Sequence, residues 1–123
     1  MKRSLSLVIA LILLIQSGYS QVSVGNLRCE ARINPLGLDI LNPRFSWQLV
    51  SDQRNLEQTG YEIRVGYKSG KGDQMASWKA MSSQSIYVPY TGKALESGTA
   101  YYWQVRVWDN KGRVSAWSEK AYW

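Results

Sequence analysis

Histidine is absent from the 123 residues, and cysteine occurs once, at Cys29. A single thiol closes no disulfide within the chain, and one cysteine without histidine makes no zinc site. A serine or cysteine nucleophile would also lack its usual base. Cys29 alternates with the polar Arg28 and Glu30, which marks it as a small core residue. Following Arg28 and lying outside the N-terminal apolar stretch, it is not in the setting of a lipidated cysteine. After residue 21 no 3.6-residue apolar period is sustained, so no helix is expected and no glycine-rich phosphate loop leads into one. There is no internal repeat and no low-complexity segment. Charge does not cluster: 15 basic and nine acidic side chains give +6, with no block of five like charges. Such mixing describes a solvated surface rather than a nucleic-acid footprint. No cofactor is expected.

Long apolar runs are missing too, apart from one short stretch at the start. Lys2 and Arg3 precede Leu5 to Ile15, a run broken only by Ser6, and small residues follow at Gly18 and Ser20. This three-part pattern is that of a secretory signal peptide. The run falls short of the roughly 20 residues that span a bilayer. A cleaved leader is therefore expected over residues 1–20, with a domain over 21–123 and secretion to the periplasm or the exterior. A retained membrane anchor is the alternative. Loss of Lys2 and Arg3 would leave a net charge of +4.

What the sequence does have is aromatic side chains: six Trp, eight Tyr and one Phe. They recur in alternation. Phe45, Trp47 and Leu49 interleave with Ser46 and Gln48; Tyr61, Ile63, Val65 and Tyr67 with Glu62, Arg64 and Gly66; and Tyr101, Trp103, Val105 and Val107 with Tyr102, Gln104, Arg106 and Trp108. A period of two puts one set on a buried face and the other outward. Trp47, Tyr61, Ile63, Val65, Tyr101, Trp103, Val105 and Val107 are the expected core. Turn residues separate the runs at Asn34-Pro35-Leu36-Gly37, Asn42-Pro43, Ser69-Gly70-Lys71-Gly72-Asp73, Tyr90-Thr91-Gly92, Glu96-Ser97-Gly98 and Asp109-Asn110-Lys111-Gly112. In the last of these, Asn110 and Gly112 tolerate positive φ. Seven strands are expected: residues 24–31, 44–50, 60–67, 77–81, 85–88, 99–108 and 114–123. Seven short strands at this spacing predict an all-β, seven-stranded antiparallel sandwich.

Two motifs refine that fold. Leu95-Glu96-Ser97-Gly98-Thr99-Ala100-Tyr101 resembles the tyrosine corner of fibronectin type III and immunoglobulin-like sandwiches. There the Tyr101 hydroxyl would bond a backbone group while its ring enters the core. Ser115-Ala116-Trp117-Ser118 resembles the Trp-Ser sequence in the last strand of some type III modules, whose Trp stacks on arginine. Arg106 is the partner expected for Trp117. The fold is thus expected to be fibronectin type III-like.

Longer stretches carry a family resemblance. Leu27-Arg28-Cys29-Glu30, Asn34-Pro35-Leu36-Gly37-Leu38-Asp39, Pro43-Arg44-Phe45-Ser46-Trp47-Gln48-Leu49, Gln58-Thr59-Gly60-Tyr61-Glu62-Ile63-Arg64-Val65 and Tyr102-Trp103-Gln104-Val105-Arg106-Val107-Trp108-Asp109 follow in that order. Together they resemble the N-terminal β-sandwich of bacterial secreted α-L-rhamnosidases, glycoside hydrolases that remove terminal rhamnose from glycans. The resemblance covers residues 24–123. It implies that the catalytic carboxylates belong to an α/α barrel elsewhere in such enzymes, so no residue here inherits their role. It also implies a piece of a larger enzyme, or a free-standing remnant, whose partners are the other domains of the hydrolase.

The residues themselves agree with a non-catalytic expectation. Glycoside hydrolysis needs two carboxyls facing across a bond, and most of the nine acids occupy loop or outward strand positions. Asp39 could touch a ligand or a neighbouring domain, or simply stabilise its turn. Exposed rings could stack on sugar: Tyr102 and Trp108 outward on the sixth strand, Trp78 near a loop, Tyr87 and Tyr90. Each also has a structural explanation, Trp108 in a ladder with Arg106 and Trp117, and Trp78 as a cover for one end of the core. Three roles remain open: inter-domain contact, sugar binding, and a free-standing carbohydrate- or protein-binding module. Nucleic-acid binding and stable membrane insertion after leader cleavage are not expected.

Overall fold

Alternation becomes strands. The computed structural model describes residues 22–36, 41–68 and 76–123; the leader, Asp39 and the Ser69–Asp73 turn lie outside the described residues. The strands are β1 (Ser23–Cys29), β2 (Arg44–Val50), β3 (Gln58–Tyr67), β4 (Ala76–Ala80), β5 (Val88–Pro89), β6 (Tyr101–Asp109) and β7 (Ala121–Tyr122). They form two antiparallel sheets, ordered β1-β2-β5 and β4-β3-β6-β7. Because β4 pairs with β3 rather than with β5, the fourth strand lies in the opposite sheet from its place in an immunoglobulin constant domain. The centre of the larger sheet is the β3–β6 pair, in register from Gly60 opposite Trp108 to Tyr67 opposite Tyr101, with a shift between Gln58 and Gly60. It is an immunoglobulin-like β-sandwich.

The core lies between the sheets. All eight residues expected there are buried, joined by Phe45, Val88, Tyr90 and Cys29. Phe45 sits 4.5 Å from Trp103, and Trp47 meets Tyr61 edge-on at 5.3 Å. The Trp47 indole N–H donates to Gln58 Oε1 at 2.9 Å, and the Gln58 amide donates to the carbonyls of Ser82 and Gln84. A ring burying about 150–250 Å² contributes roughly 4–6 kcal/mol gross at about 25 cal/mol per Å². A core of this many rings therefore holds a domain that has no disulfide.

Of the strand boundaries that differ from expectation, those of the first, fifth and last strands have a local reason. The first strand stops at Cys29 because Glu30 and Ala31 form a tight turn, with φ of 51° and 63°. Cys29 and Arg32 exchange both backbone hydrogen bonds across it, at 2.9 and 3.0 Å. The left-handed region costs a residue with a Cβ about 1–2 kcal/mol, and Arg44 offsets it. The Glu30 N–H donates to the Arg44 carbonyl, and the Glu30 carboxylate accepts from the Arg44 N–H and guanidinium at 2.7 and 2.8 Å. The fifth strand shrinks to Val88–Pro89 because Tyr87 has a φ of 52°. The residues before it still follow β2, with Trp47 N–H donating to the Ser85 carbonyl and Tyr87 N–H to Ser46 Oγ. The last strand, expected over 114–123, is regular only at Ala121–Tyr122; serine side chains replace part of its ladder. At the final hairpin Gly112 has a φ of 75°, while Asn110 is not among the positive-φ residues.

Candidate functional site: the outer face of the four-stranded sheet

On β6 the set facing away from the core is Tyr102, Gln104, Arg106 and Trp108; opposite them on β3 stand Gly66, Arg64, Glu62 and Gly60. The segment after the final hairpin lays Trp117 across this face. Ser115 N–H donates to the Val107 carbonyl and Ser118 N–H to that of Val105. In return, Ser115 Oγ accepts the Val107 N–H and Ser118 Oγ the Val105 N–H, both at 3.0 Å. Ala116 and Trp117 are left between the two anchors, clear of the ladder.

Trp117 then meets two guanidiniums. Arg64 lies 4.0 Å from its centroid and Arg106 4.6 Å. Each guanidinium is itself fixed. Arg64 Nε donates to Gln104 Oε1 at 2.8 Å, Gln104 donates to the Ser118 carbonyl at 2.8 Å, and Arg106 pairs with Glu62 at 2.6 Å. The ladder continues from Arg106 to Trp108 at 5.4 Å and from Trp108 to the Lys79 ammonium at 5.3 Å. Two further rungs flank it, Lys120 at 4.3 Å over Tyr102 and Lys68 at 5.3 Å over Tyr122. Each such contact adds about 0.5–2 kcal/mol, depending on solvation. Tyr102 also lies over Gly66, where an added Cβ would stand 2.4 Å from the ring.

The other residues singled out in the sequence lie elsewhere. Tyr101 forms the corner, its hydroxyl accepting the Glu96 N–H at 2.8 Å. Trp78, opposite Ile63, turns inward and packs on Phe45 and Tyr90 instead of offering a free outer ring. Tyr90 is buried, and its hydroxyl donates to the Lys93 carbonyl. Tyr87 is exposed with the Arg44 guanidinium 4.6 Å over its ring. Asp39 lies outside the described residues. Arg64, the second guanidinium on Trp117, was not picked out from the sequence; its signal was a place in the same alternating set as Glu62, two residues earlier.

Carboxylates among the described residues do not gather. Glu30 pairs with Arg44, Glu62 with Arg106, and the buried Asp109 with Arg113 at 3.0 Å. Asp109 also accepts the N–H groups of Lys111 and Arg113, which fixes the hairpin. No group of three His, Cys, Asp or Glu side chains suited to a metal occurs among the described residues. Burial, and then the nearby Glu30 charge, push the Cys29 thiol up to about 12, so it stays protonated at neutral pH. This face therefore presents braced arginines and exposed lysines around its aromatic rings, and its Glu62 carboxylate is paired with Arg106.

Relatives share this domain. Residues 24–123 match the family model described as the Rha78A-like, N-terminal immunoglobulin domain. The chain is 42% identical over 93 residues to an α-L-rhamnosidase of Streptomyces avermitilis, covering 72% of this chain and 9% of that protein. Against an α-L-rhamnosidase of Formosa agariphila it is 37% identical over 98 residues, 76% of this chain and 10% of the other. The crystal structure of the Streptomyces avermitilis α-L-rhamnosidase complexed with L-rhamnose superposes with a TM-score of 0.74 at 35% identity, over 83% of this chain and 10% of that one. The chain spans about a tenth of the length of these relatives. It belongs to the family of Rha78A-like N-terminal immunoglobulin domains.

Proposed function

We propose that the chain is a non-catalytic accessory module of a secreted α-L-rhamnosidase-type glycoside hydrolase. One observation carries this reading: the similarity takes in most of this chain but only about a tenth of each relative. The site chemistry supports it, because the three arginine-paired carboxylates serve the fold and Cys29 is buried. In this role the sandwich holds a fixed shape beside the other domains of the hydrolase and acts on rhamnose-containing glycans only through them. Export would be directed by residues 1–20. The test is a rhamnosidase assay of the purified chain on an aryl α-L-rhamnoside. The expected result is no release of aryl alcohol above buffer. Turnover that persists through purification and disappears with the protein would overturn the proposal.

A further inference from the structure

We propose that the outer face of the four-stranded sheet binds an anionic polysaccharide. The proposal rests on the reading that the chain serves a glycan-acting enzyme, and it names the glycan chemistry this face suits. Five cations, Arg64, Lys68, Lys79, Arg106 and Lys120, stand over aromatic rings of this face. Among the described residues the one ion pair on it is Arg106–Glu62.

Ring occupancy decides against a neutral sugar. A stacking platform needs a bare ring face, and two guanidiniums lie within 4.6 Å of the Trp117 centroid. Trp108 has Lys79 and Arg106 beside it, and Tyr102 carries Lys120 while resting on Gly66. A ligand arriving here meets ammonium groups first. Lys68, Lys79 and Lys120 are exposed, while the two arginines are braced by Gln104 and Glu62. An extended chain bearing a negative charge at intervals matches that display, and its attraction is long-ranged at low salt.

The alternative occupant is an acidic protein surface. Lysine is depleted in protein interfaces, yet three of these five cations are lysines. Met81, 89% exposed, follows β4 beside Gly60 at the margin of this face; the other large exposed apolar side chains lie elsewhere: Ile33, Leu36 and Leu41 around the β1–β2 connection, Val50 at the end of β2, and Ile86 and Tyr87 before β5. Leu36, 90% exposed, borders an open hollow of about 480 Å³ that Lys68 and Tyr122 also line, at one end of the charged face. Contact with other domains is better served by Leu36 and its apolar neighbours, which leaves the cations to a glycan.

Isothermal titration of the full chain with polygalacturonate tests the proposal. Dextran serves as the neutral control, chondroitin sulfate as a second anion and polyglutamate as an acidic polypeptide. Saturable binding is expected to polygalacturonate, chondroitin sulfate or both, weakening as salt rises towards about 0.3 M, where the screening length is near 6 Å. None is expected to dextran. The triple variant Lys68→Gln/Lys79→Gln/Lys120→Gln should lose about tenfold in affinity. Arg28→Gln/Arg32→Gln/Arg54→Gln removes the same charge from exposed sites elsewhere and should stay within about twofold of the parent. All six positions are exposed, so both variants should stay folded in the titration, the lysine variant with a lowered denaturation midpoint because it gives up three ring contacts. Absence of binding to both glycan polyanions overturns the proposal, as does an equal loss in the two triple variants. Polyglutamate binding as tight as either glycan would assign the face to an acidic protein instead. A rhamnosidase assay on the same sample is independent: turnover would end the accessory-module reading without altering the binding result.

Discussion

Ser118→Ala removes one oxygen and leaves a buried amide without its partner. Ser118 Oγ accepts the Val105 N–H at 3.0 Å and donates to the Glu119 carbonyl at 3.0 Å. Val105 is fully buried in β6, so water cannot replace the lost acceptor without opening the sheet. An orphaned buried donor costs about 1–3 kcal/mol. Ser115→Ala does the same to the Val107 N–H. The two serines bond different amides, so the double variant should lose about 2–6 kcal/mol if the costs add. For a domain of this size each kcal/mol lowers Tm by about 4–8 °C. The double variant should thus melt at least about 8 °C below the parent. Urea denaturation followed by tryptophan fluorescence gives the single-variant shifts, roughly 1 M in midpoint for a loss of about 2 kcal/mol. Ser51→Ala is the control, because its hydroxyl accepts the exposed Gln53 N–H. If Ser118→Ala and Ser115→Ala each stay within about 0.5 kcal/mol of Ser51→Ala, a range ordinary for surface substitutions, the hydroxyls do not carry the ladder and the account of the last segment is wrong.

Tyr101→Phe keeps the ring stacked on Trp123 at 5.2 Å but deletes the acceptor for the Glu96 N–H; a loss of about 0.5–1.5 kcal/mol is expected in urea denaturation, and an unchanged midpoint would count against the corner. Gly66→Ala puts a methyl group 2.4 Å from the Tyr102 ring; it should destabilise alone, and adding Tyr102→Ala should recover most of the loss, a coupling that a double-mutant cycle reads directly. The Cys29 thiol, buried and pushed up to about 12, should resist a thiol reagent at pH 8 in the native protein and react once urea unfolds it; equal rates would mean the site opens readily. Hydrogen bonds from the Arg44 guanidinium chiefly hold the Glu30 carboxyl below its usual 4.5. Its contribution is therefore fully present above about pH 4.5 and is lost as pH falls through the lowered folded value; Glu30→Gln should flatten that part of the stability–pH curve, and an identical curve would refute the pairing.

Alternation in Phe45–Leu49, Tyr61–Tyr67 and Tyr101–Val107 was enough to place the core, because a period of two assigns each side chain a face without reference to any other strand. Local motifs were equally legible where one residue type does one job, as with Tyr101 at its corner and Trp117 beside Arg106. Cross-strand neighbours were not. Arg64 meets Trp117 only because β3 and β6 pair in one register, which no single strand specifies. Trp78 was placed near a loop, and the pairing that sets it opposite Ile63 turns it inward. Backbone exceptions were hidden too. Glu30, Ala31 and Tyr87 adopt positive φ although none is a residue type that favours it; contacts with β2 residues hold Glu30 and Tyr87 there, and the Cys29–Arg32 pair closes the turn through Ala31. The shortness of the last strand had a signal in Ser115 and Ser118, whose hydroxyls compete with a backbone ladder.

That short last strand also governs how the sandwich meets other sheets. A sheet edge with free, evenly spaced N–H and C=O groups can recruit a foreign strand and seed aggregation. Here the β7 side has only two regular residues, and the segment before it follows β6 through serine hydroxyls rather than as a flat ribbon. On the opposite edge β4 is five residues long with an exposed lysine, Lys79, near its end. In the other sheet β1 is interrupted by a bulge between Gly25 and Arg28, and β5 has two residues, one of them proline. All four margins are short, bent or chemically capped, so the domain can crowd against large neighbours without lending them a strand.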